Sequence, residues 1–319
     1  MKYCLYIALL ISLSIGYGQG IYPPAAGVSG TTAIHKDSSL IVSWVYACEI
    51  SRGYLRIDST HLGKTNSGDS TNSFGKANGT TVSLGDSGVA LIFLNQFIHN
   101  GIGADFAVFE NGFGSGFLEL AFVEVSSDGI HFFRFPAFSN TQDTAQIGTF
   151  GSLDPTEIHN LAGKYEVNYG TPFDLDEIPN DSLLDKSNIT HIKITDVIGN
   201  IAPEFAQYDS QGNKINDPWP TPFATGGFDL DAIGLIHVNG ISFLPENEVE
   251  ISIYPNPIFD VFNIEIDKKI KQIELLSLEG KIVKKTTNSR VNVSELPSGV
   301  YFVRIITNSE TYVRKVVKK

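Results

Sequence analysis

Two short acidic motifs carry the densest chemistry in this chain. Thr171-Pro172-Phe173-Asp174-Leu175-Asp176-Glu177-Ile178 is echoed by Gly227-Phe228-Asp229-Leu230-Asp231-Ala232-Ile233. In an extended strand, residues i and i+2 share a face, so each aspartate pair points one way and its apolar neighbours the other. Two carboxylates about 7 Å apart repel unless a cation, a guanidinium or backbone N–H groups stand between them. Only three arginines, Arg52, Arg56 and Arg134, precede residue 245. Calcium, a hard cation that takes about 6–8 oxygens from carboxylates, amides and carbonyls, is the economical partner. Asp209-Ser210-Gln211-Gly212-Asn213 and Asn216-Asp217-Pro218 supply further oxygens. The candidate metal ligands are therefore Asp105, Asp209, Asp217, Asp229 and Asp231. The competing reading has such aspartates cap turns and strand ends through Asx hydrogen bonds.

A second dense segment runs from Gly103 to Phe113. Asp105, Ala107 and Phe109 fall on one strand face, and Phe106, Val108 and Glu110 on the other. Glu110 and Asn111 close the strand, where side chains reach a loop-lined rim. Glu110, Glu119 and Glu124 could supply a glycosidase carboxylate pair, although nothing in their spacing makes them converge. Among loop aromatics (Trp219, Tyr208, Phe223, Tyr169), Trp219 stands between two prolines and so must lie in a loop. It is the foremost candidate for stacking on a sugar ring. The ligand-contact set is Trp219, Tyr208, Glu110 and Asn111, and no catalytic residue is assigned.

Other chemistries are excluded. Thr32-Ala33-Ile34-His35 and Gly85-Asp86-Ser87-Gly88 mimic the histidine and serine signatures of a trypsin-like enzyme. They lie only about 50 residues apart, too few for the two barrels and oriented aspartate a triad requires. Gly85–Gly88 reads instead as a turn. The 7 histidines are dispersed, without the helical pairing of a zinc site. Gly112-Phe113-Gly114-Ser115-Gly116 precedes a strand where a phosphate loop requires a helix.

The elements that must position these groups are strands. Short alternating runs separated by Gly, Asn, Asp and Ser clusters predict an all-β sandwich or barrel. The candidates are Leu40–Ile50, Val89–Phe93, Asp105–Phe109, Leu118–Ser126, His131–Phe135, His191–Asp196 and Ala232–Val238. Ser126-Ser127-Asp128-Gly129 marks a hairpin. One helical turn is expected near Asp154–Ala162. Long polar loops span Asp58–Thr81 and Asn140–Leu161. Of 23 Lys+Arg and 35 Asp+Glu, 12 and 10 lie from Glu246 onward. The preceding 245 residues are thus strongly acidic, which disfavours nucleic acid and anionic membrane as partners. Of the 2 cysteines, Cys4 lies in a leader and Cys48 in an apolar run, so no intrachain disulfide is expected in the mature chain.

The chain's ends carry addresses. Met1 and Lys2, the apolar run Cys4 to Tyr17, and Gly18-Gln19-Gly20 read as a secretory signal over residues 1–19, too short to span a bilayer. No other segment is apolar enough to be a transmembrane segment. Near the other end come Tyr254-Pro255-Asn256-Pro257, an alternating strand from Val261 to Ile266, and Leu276-Ser277-Leu278-Glu279-Gly280. Leu296-Pro297-Ser298-Gly299-Val300-Tyr301 and a basic strand, Tyr312 to Lys319, follow. This order resembles the C-terminal sorting domain of proteins exported by the type IX secretion system of Bacteroidetes-type bacteria. The resemblance implies export across the outer membrane to the cell surface or medium, with the secretion machinery as partner. It also implies removal of the tail after translocation.

The segments Gly103 to Phe113, Glu119 to Gly129, Asp209 to Thr221 and Gly226 to Ile236 are together similar to a family of exported bacterial surface proteins. Val123-Glu124-Val125-Ser126-Ser127-Asp128-Gly129 also resembles discoidin-like, galactose-binding-like jelly rolls, which bind glycans or lipids at loop rims, often with calcium. The expected organisation is all-β. A jelly-roll-like β-sandwich over residues 20–243 is followed by a linker over 244–252 and a small β-sandwich sorting domain over 253–319. The expected function is a calcium-stabilised cell-surface binding module for a glycan or other polar ligand. The alternatives are a nutrient-capture protein handing a small molecule, such as a corrinoid, to an outer-membrane transporter, and a glycan hydrolase acting through Glu110 and an aspartate.

Overall fold

The computed structural model describes residues 21–239, 251–266, 268–277, 282–307 and 311–319. The expected signal segment and most of the expected linker lie outside the described residues. The chain divides into two compact units, residues 1–240 and 241–319.

In the first unit the chain forms β1 (Ile34–His35), β2 (Ser43–Trp44), β3 (Cys48–Ser51), β4 (Val82–Ser83), β5 (Val89–Ile98), β6 (Phe106–Glu110) and β7 (Ala121–Ser126). It continues through β8 (Phe133–Arg134), β9 (Phe138–Ser139), β10 (Ile158–His159), β11 (Tyr169–Phe173), β12 (Ile189–Asp196), β13 (Asp229–Leu235) and β14 (Val238–Asn239). Two antiparallel sheets result. One has the order β1-β11-β6-β13-β2 with β4 also on β13, the other β14-β5-β12-β7-β8 with β3 also on β5. Phe106, Val108, Phe173 and Ile233 of the first sheet share one buried cluster with Ile92, Val123, Ile192 and Ile194 of the second. The unit is a β-sandwich.

The two sheets differ on their outer faces, and the sequence pattern records it. Strand β12 alternates, with Ile192 and Ile194 buried and His191 and Lys193 only half-buried, as a sheet wet on one side requires. Strands β6 and β13 are buried at every position, because Ile41, Trp44 and Ala77 cover their outer face against Phe109 and Ala232. The predicted strand Leu40–Ile50 is broken in the structure. Ser43–Trp44 pairs with β13 and Cys48–Ser51 with β5, so the chain crosses between sheets there. Ser126–Gly129 makes the expected hairpin, since β7 pairs with β8 and Asp128 Oδ1 accepts the N–H groups of Ile130 and His131. The expected helical turn is a 3-10 turn at Pro155–Glu157.

The second unit is a small β-sandwich. β15 (Ser252–Tyr254), β16 (Val261–Glu265) and β19 (Arg290–Asn292) make one sheet. β17 (Ile270–Leu276), β18 (Ile282–Thr286), β20 (Gly299–Thr307) and β21 (Thr311–Lys318) make the other. Alternation places Phe262 and Ile264, with Tyr301, Val303 and Ile305, in its core. Among the described residues no helix is long and apolar enough to cross a membrane.

Candidate functional site

The end of β6 and the start of β13 lie side by side, with Leu230 opposite Glu110 and a bulge between Leu230 and Ala232. Glu110 follows Phe106 and Val108 on the inward face. It is only 1% exposed. Its Oε2 accepts the N–H of Gly112 at 2.7 Å, while Oε1 is buried with no hydrogen-bond partner. A side chain at Gly112 would stand 2.8 Å from that Oε2 and 3.1 Å from the Phe117 carbonyl, so anything larger than glycine here must displace the Glu110 carboxyl and crowd the following loop. Asp229, 5% exposed, accepts Asn111 Nδ2–H at 3.2 Å on Oδ2, and the buried hydroxyl of Ser83, opposite it on β4, stabilises its carboxylate. Asn111 reaches Thr81 Oγ1 as well, at 3.4 Å.

Above these groups opens a pocket of about 480 Å³. Asn111, Glu119 and Asp229 belong to its polar lining, and Phe113, Phe117, Phe150 and Phe223 to its rim. The four rings form a chain. Phe117 lies 6.2 Å from Phe113 and 6.3 Å from Phe150, and Phe150 stacks on Phe223 at 6.0 Å. Phe113 and Phe150 are 75% and 79% exposed, an unusual outlay of apolar surface for loop residues. The loops that carry the rings are tied together by backbone. Leu153 N–H donates to Gly116 O at 2.8 Å, Trp219 N–H to Ile147 O at 3.0 Å, and Thr149 Oγ1 to Pro220 O at 2.8 Å. Beneath them Leu118, Leu120, Leu153, Ile158 and Ile215 form a separate apolar cluster. The rim is thereby a built surface.

The floor is electrostatically strained. Burial, and then the neighbouring Asp229, push the Glu110 carboxyl well above the usual carboxylate range. Burial does the same to Glu119, helped by Glu110 and Asp229. Asp229 is pushed up to about 6, chiefly by burial and against the pull of its hydrogen bonds and Arg52. Arg52 itself donates to the carbonyls of Ser67, Gly68 and Ser83. Three acids with so little compensating charge are costly to bury, and such arrangements cluster at functional sites.

Of the sequence-predicted residues, the structure brings Asn111 and Asp229 into this pocket with Glu110 behind them. Glu119 and Phe223, also singled out from the sequence, line it too, while the remaining metal and ligand candidates lie outside its lining. Trp219 is corrected: its indole is 9% exposed, donates Nε1–H to Asp86 Oδ2 at 3.1 Å and lies under Arg56 at 5.3 Å. A loop between two prolines folds inward when its polar tip finds a buried acceptor. Tyr208 is exposed but is not part of the pocket lining. Glu124 lies on β7 against Lys193 and Arg134, away from Glu110, so those two form no catalytic pair.

A shared cation site on the five aspartates is likewise corrected, because backbone donors occupy four of them one by one and Asp229 is held by the side chain of Asn111. Asp105 accepts from Gly101 N, Leu175 N and His237 Nδ1, each at 2.7 Å. Asp209 accepts from Ser139 N, Gln211 N and Asn213 N. Burial raises its carboxyl, these bonds lower it, and the bonds prevail. Asp217 accepts Leu120 N at 2.9 Å, and Asp231 accepts Asn78 N and Gly79 N at 3.1 and 3.0 Å. Among the described residues no group of three or more histidine, cysteine or carboxylate side chains is placed to hold a metal ion. The donor set does not fit calcium. The echoed motif is not repeated in structure either. Asp174 caps a 3-10 turn at Leu175–Glu177, whereas Asp229 and Asp231 lie in β13.

Sequence reasoning named Glu119 only as a possible member of a carboxylate pair, and missed the Phe113, Phe117 and Phe150 rim. One signal was available: two phenylalanines inside the glycine-rich run Gly112–Phe117, where nothing in the local pattern supplies a core for them.

Residues 252–319 match the secretion system C-terminal sorting domain family. That domain directs export to the cell surface or extracellular space through the type IX secretion machinery. No curated protein matches the chain. Among solved structures, the chain is similar to a biofilm-associated protein's BSP domain at 10% identity and a TM-score of 0.18. The match covers 72% of this chain and 48% of that one, so this chain spans about half its length. At that score the likeness establishes no common architecture.

Proposed function

We propose that this exported protein is a surface binding module whose ligand, a glycan or another polar molecule with an apolar ring face, sits in the phenylalanine-rimmed pocket. One observation carries the reading. A chain of four phenylalanine rings, two of them largely exposed, surrounds a floor of buried carboxylates and an amide. Sugar rings present apolar C–H faces beside hydroxyls, and bind where an aromatic edge meets a few fixed polar groups. The rim supplies the first and Asn111, Glu119 and Asp229 the second.

Binding, more than turnover, suits the floor. Glu110, the acid on which a hydrolase reading rested, is almost wholly buried, and one of its oxygens is committed to Gly112. The test is a glycan array probed with the full chain and with the double variant Phe150→Ala, Phe223→Ala. Loss of the bound glycans in the variant is expected, and binding that survives it would remove the pocket from consideration.

A further inference from the structure

The first acidic motif, Thr171 to Ile178, takes no part in the phenylalanine-rimmed pocket. Thr171, Pro172, Asp174 and Glu177 instead line a second cavity, of about 430 Å³, with Ile34 and Leu40 as apolar wall. Its remaining side is the segment after β10, which carries Lys164 and Tyr165. Gly163 turns that segment at a φ of 83°, where a Cβ would stand 1.9 Å from the Glu119 carbonyl oxygen, so the path of the chain is fixed. Lys164 is 3% exposed and is the only buried lysine among the described residues. Lys76 and Lys193 pair with Asp37 and Glu124, but Lys164 Nζ donates to the Ile158 carbonyl at 2.8 Å and to no carboxylate. Burial alone moves its amine, down to about 8, so the ammonium persists at neutral pH. The Tyr165 and Tyr22 rings, at 5.5 and 6.0 Å, stabilise the cation without neutralising it. The two acids of the lining are spent elsewhere. Glu177 Oε2 takes His159 Nε2 at 2.7 Å and Asn160 Nδ2 at 2.6 Å, and Asp174 Oδ1 accepts the Asp176 N–H at 2.9 Å to cap its turn. An ammonium offers three donors, and a buried charge is costly unless paired. Lys164 therefore brings to the cavity wall a charge and donors that the fold leaves unused.

We infer that this cavity is a second binding site and takes a small organic carboxylate, with the anion on the Lys164 ammonium and the ligand's apolar body against Ile34, Leu40 and Pro172. The two cavities share no lining residue, so the inference is independent of the glycan reading. A carboxylate brings two acceptor oxygens and the missing charge together, whereas a hydroxyl or an amide brings acceptors alone. The volume lies at the low end of ligand pockets, which suits one small molecule over a polymer segment. General electrostatics opposes the preference, because the residues before 246 are strongly acidic. A carboxylate selected here is therefore selected by a specific cation.

The probes are hexanoate, its neutral amide hexanamide, and glucuronate, each titrated calorimetrically into the full chain at neutral pH and physiological salt. Hexanoate is expected to bind about tenfold more tightly than hexanamide. Glucuronate, whose body is polar, should bind more weakly than hexanoate, and the reverse order would overturn the inference as stated. Lys164→Met keeps the side-chain length without the charge and should bring hexanoate and hexanamide close to parity. Leu40→Glu, at an exposed position of the lining, should cut the preference about threefold by like-charge repulsion. Lys76→Met removes an exposed lysine outside the cavity and should leave the preference unchanged. Absence of a carboxylate preference in the parent chain, or a preference that survives Lys164→Met, overturns the inference. Should that variant fail to fold, a preference untouched by Leu40→Glu does the same. The double variant Phe150→Ala, Phe223→Ala should retain hexanoate binding, so failure at either cavity is read separately from failure at the other.

Discussion

Replacing Asp229 by asparagine should stabilise the first unit at neutral pH and destabilise it by about 1 kcal/mol at pH 4. The carboxyl moves from 3.8 to about 6 in the folded chain, mainly through burial. At about 1.4 kcal/mol per tenfold, ionising it costs the native state about 3 kcal/mol. The sign follows from the direction of that shift. Below about pH 4 the group is protonated in both states and contributes nothing. Between about pH 4 and 6 the unfolded chain ionises while the folded chain resists, so stability falls. Above about pH 6 the full penalty persists. Asparagine never ionises, keeps an oxygen for Asn111, and places an amide in a buried site, at a cost of about 1–2 kcal/mol. Its removal also relieves Glu110 and Glu119, which acts in the same direction. The net gain at pH 7.5 is about 1–2 kcal/mol, or about 2–8 °C in Tm for a unit of this size. Both tryptophans, Trp44 and Trp219, lie in the first unit, so tryptophan fluorescence during thermal or urea unfolding of the full chain reports that unit alone. A variant no more stable than the parent at pH 7.5, or equally stabilised at pH 4, would refute the reasoning.

Four further outcomes are expected. Trp219→Phe removes the donor to Asp86 and weakens the contact with Arg56, lowering stability by about 1–2 kcal/mol in urea unfolding while leaving pocket binding intact. Gly112→Ala forces a methyl group against Glu110 Oε2 and the Phe117 carbonyl; the cost should be about 1–3 kcal/mol, with ligand affinity reduced by displacement of the Phe113–Phe117 loop. Because backbone donors engage Asp105, Asp209, Asp217 and Asp231 separately, a chelator should leave the thermal midpoint unchanged, and a marked fall would restore a metal site. Deleting residues 252–319 should abolish surface delivery in a type IX-secreting host, read by cell fractionation; surface display of the truncated chain would contradict the sorting assignment.

Much of the fold was legible because strand signals are local. Alternation in β12 and β16, the Asp-Gly hairpin after β7, and the ordered motifs of the tail each depend on residues within about ten positions of one another. Uninterrupted burial in β6 and β13 was less legible, since a strand covered on both faces loses its alternation. The break in Leu40–Ile50 had no sequence mark, as both halves are apolar and only the partner strands differ. Asn111 and Asp229 were identified from strand-end position and acidic spacing, but their meeting required β6 and β13, more than 100 residues apart, to pair in one register.

By itself the sequence determined the class of architecture, the division into an acidic sandwich and a sorting tail, and hence the route of export. Those follow from composition and short-range pattern, which survive any rearrangement of long-range partners. Which carboxylates converge, and which are consumed by backbone N–H groups, only the tertiary structure decided. Asp105, Asp209, Asp217 and Asp231 look like Asp229 in sequence. They differ because loops fold their N–H groups onto the first four, whereas Asp229 is held by the side chains of Asn111 and Ser83 at the edge of the phenylalanine-rimmed pocket. A hydrogen bond is settled by a few tenths of an ångström between segments distant in sequence, and no local pattern encodes that distance.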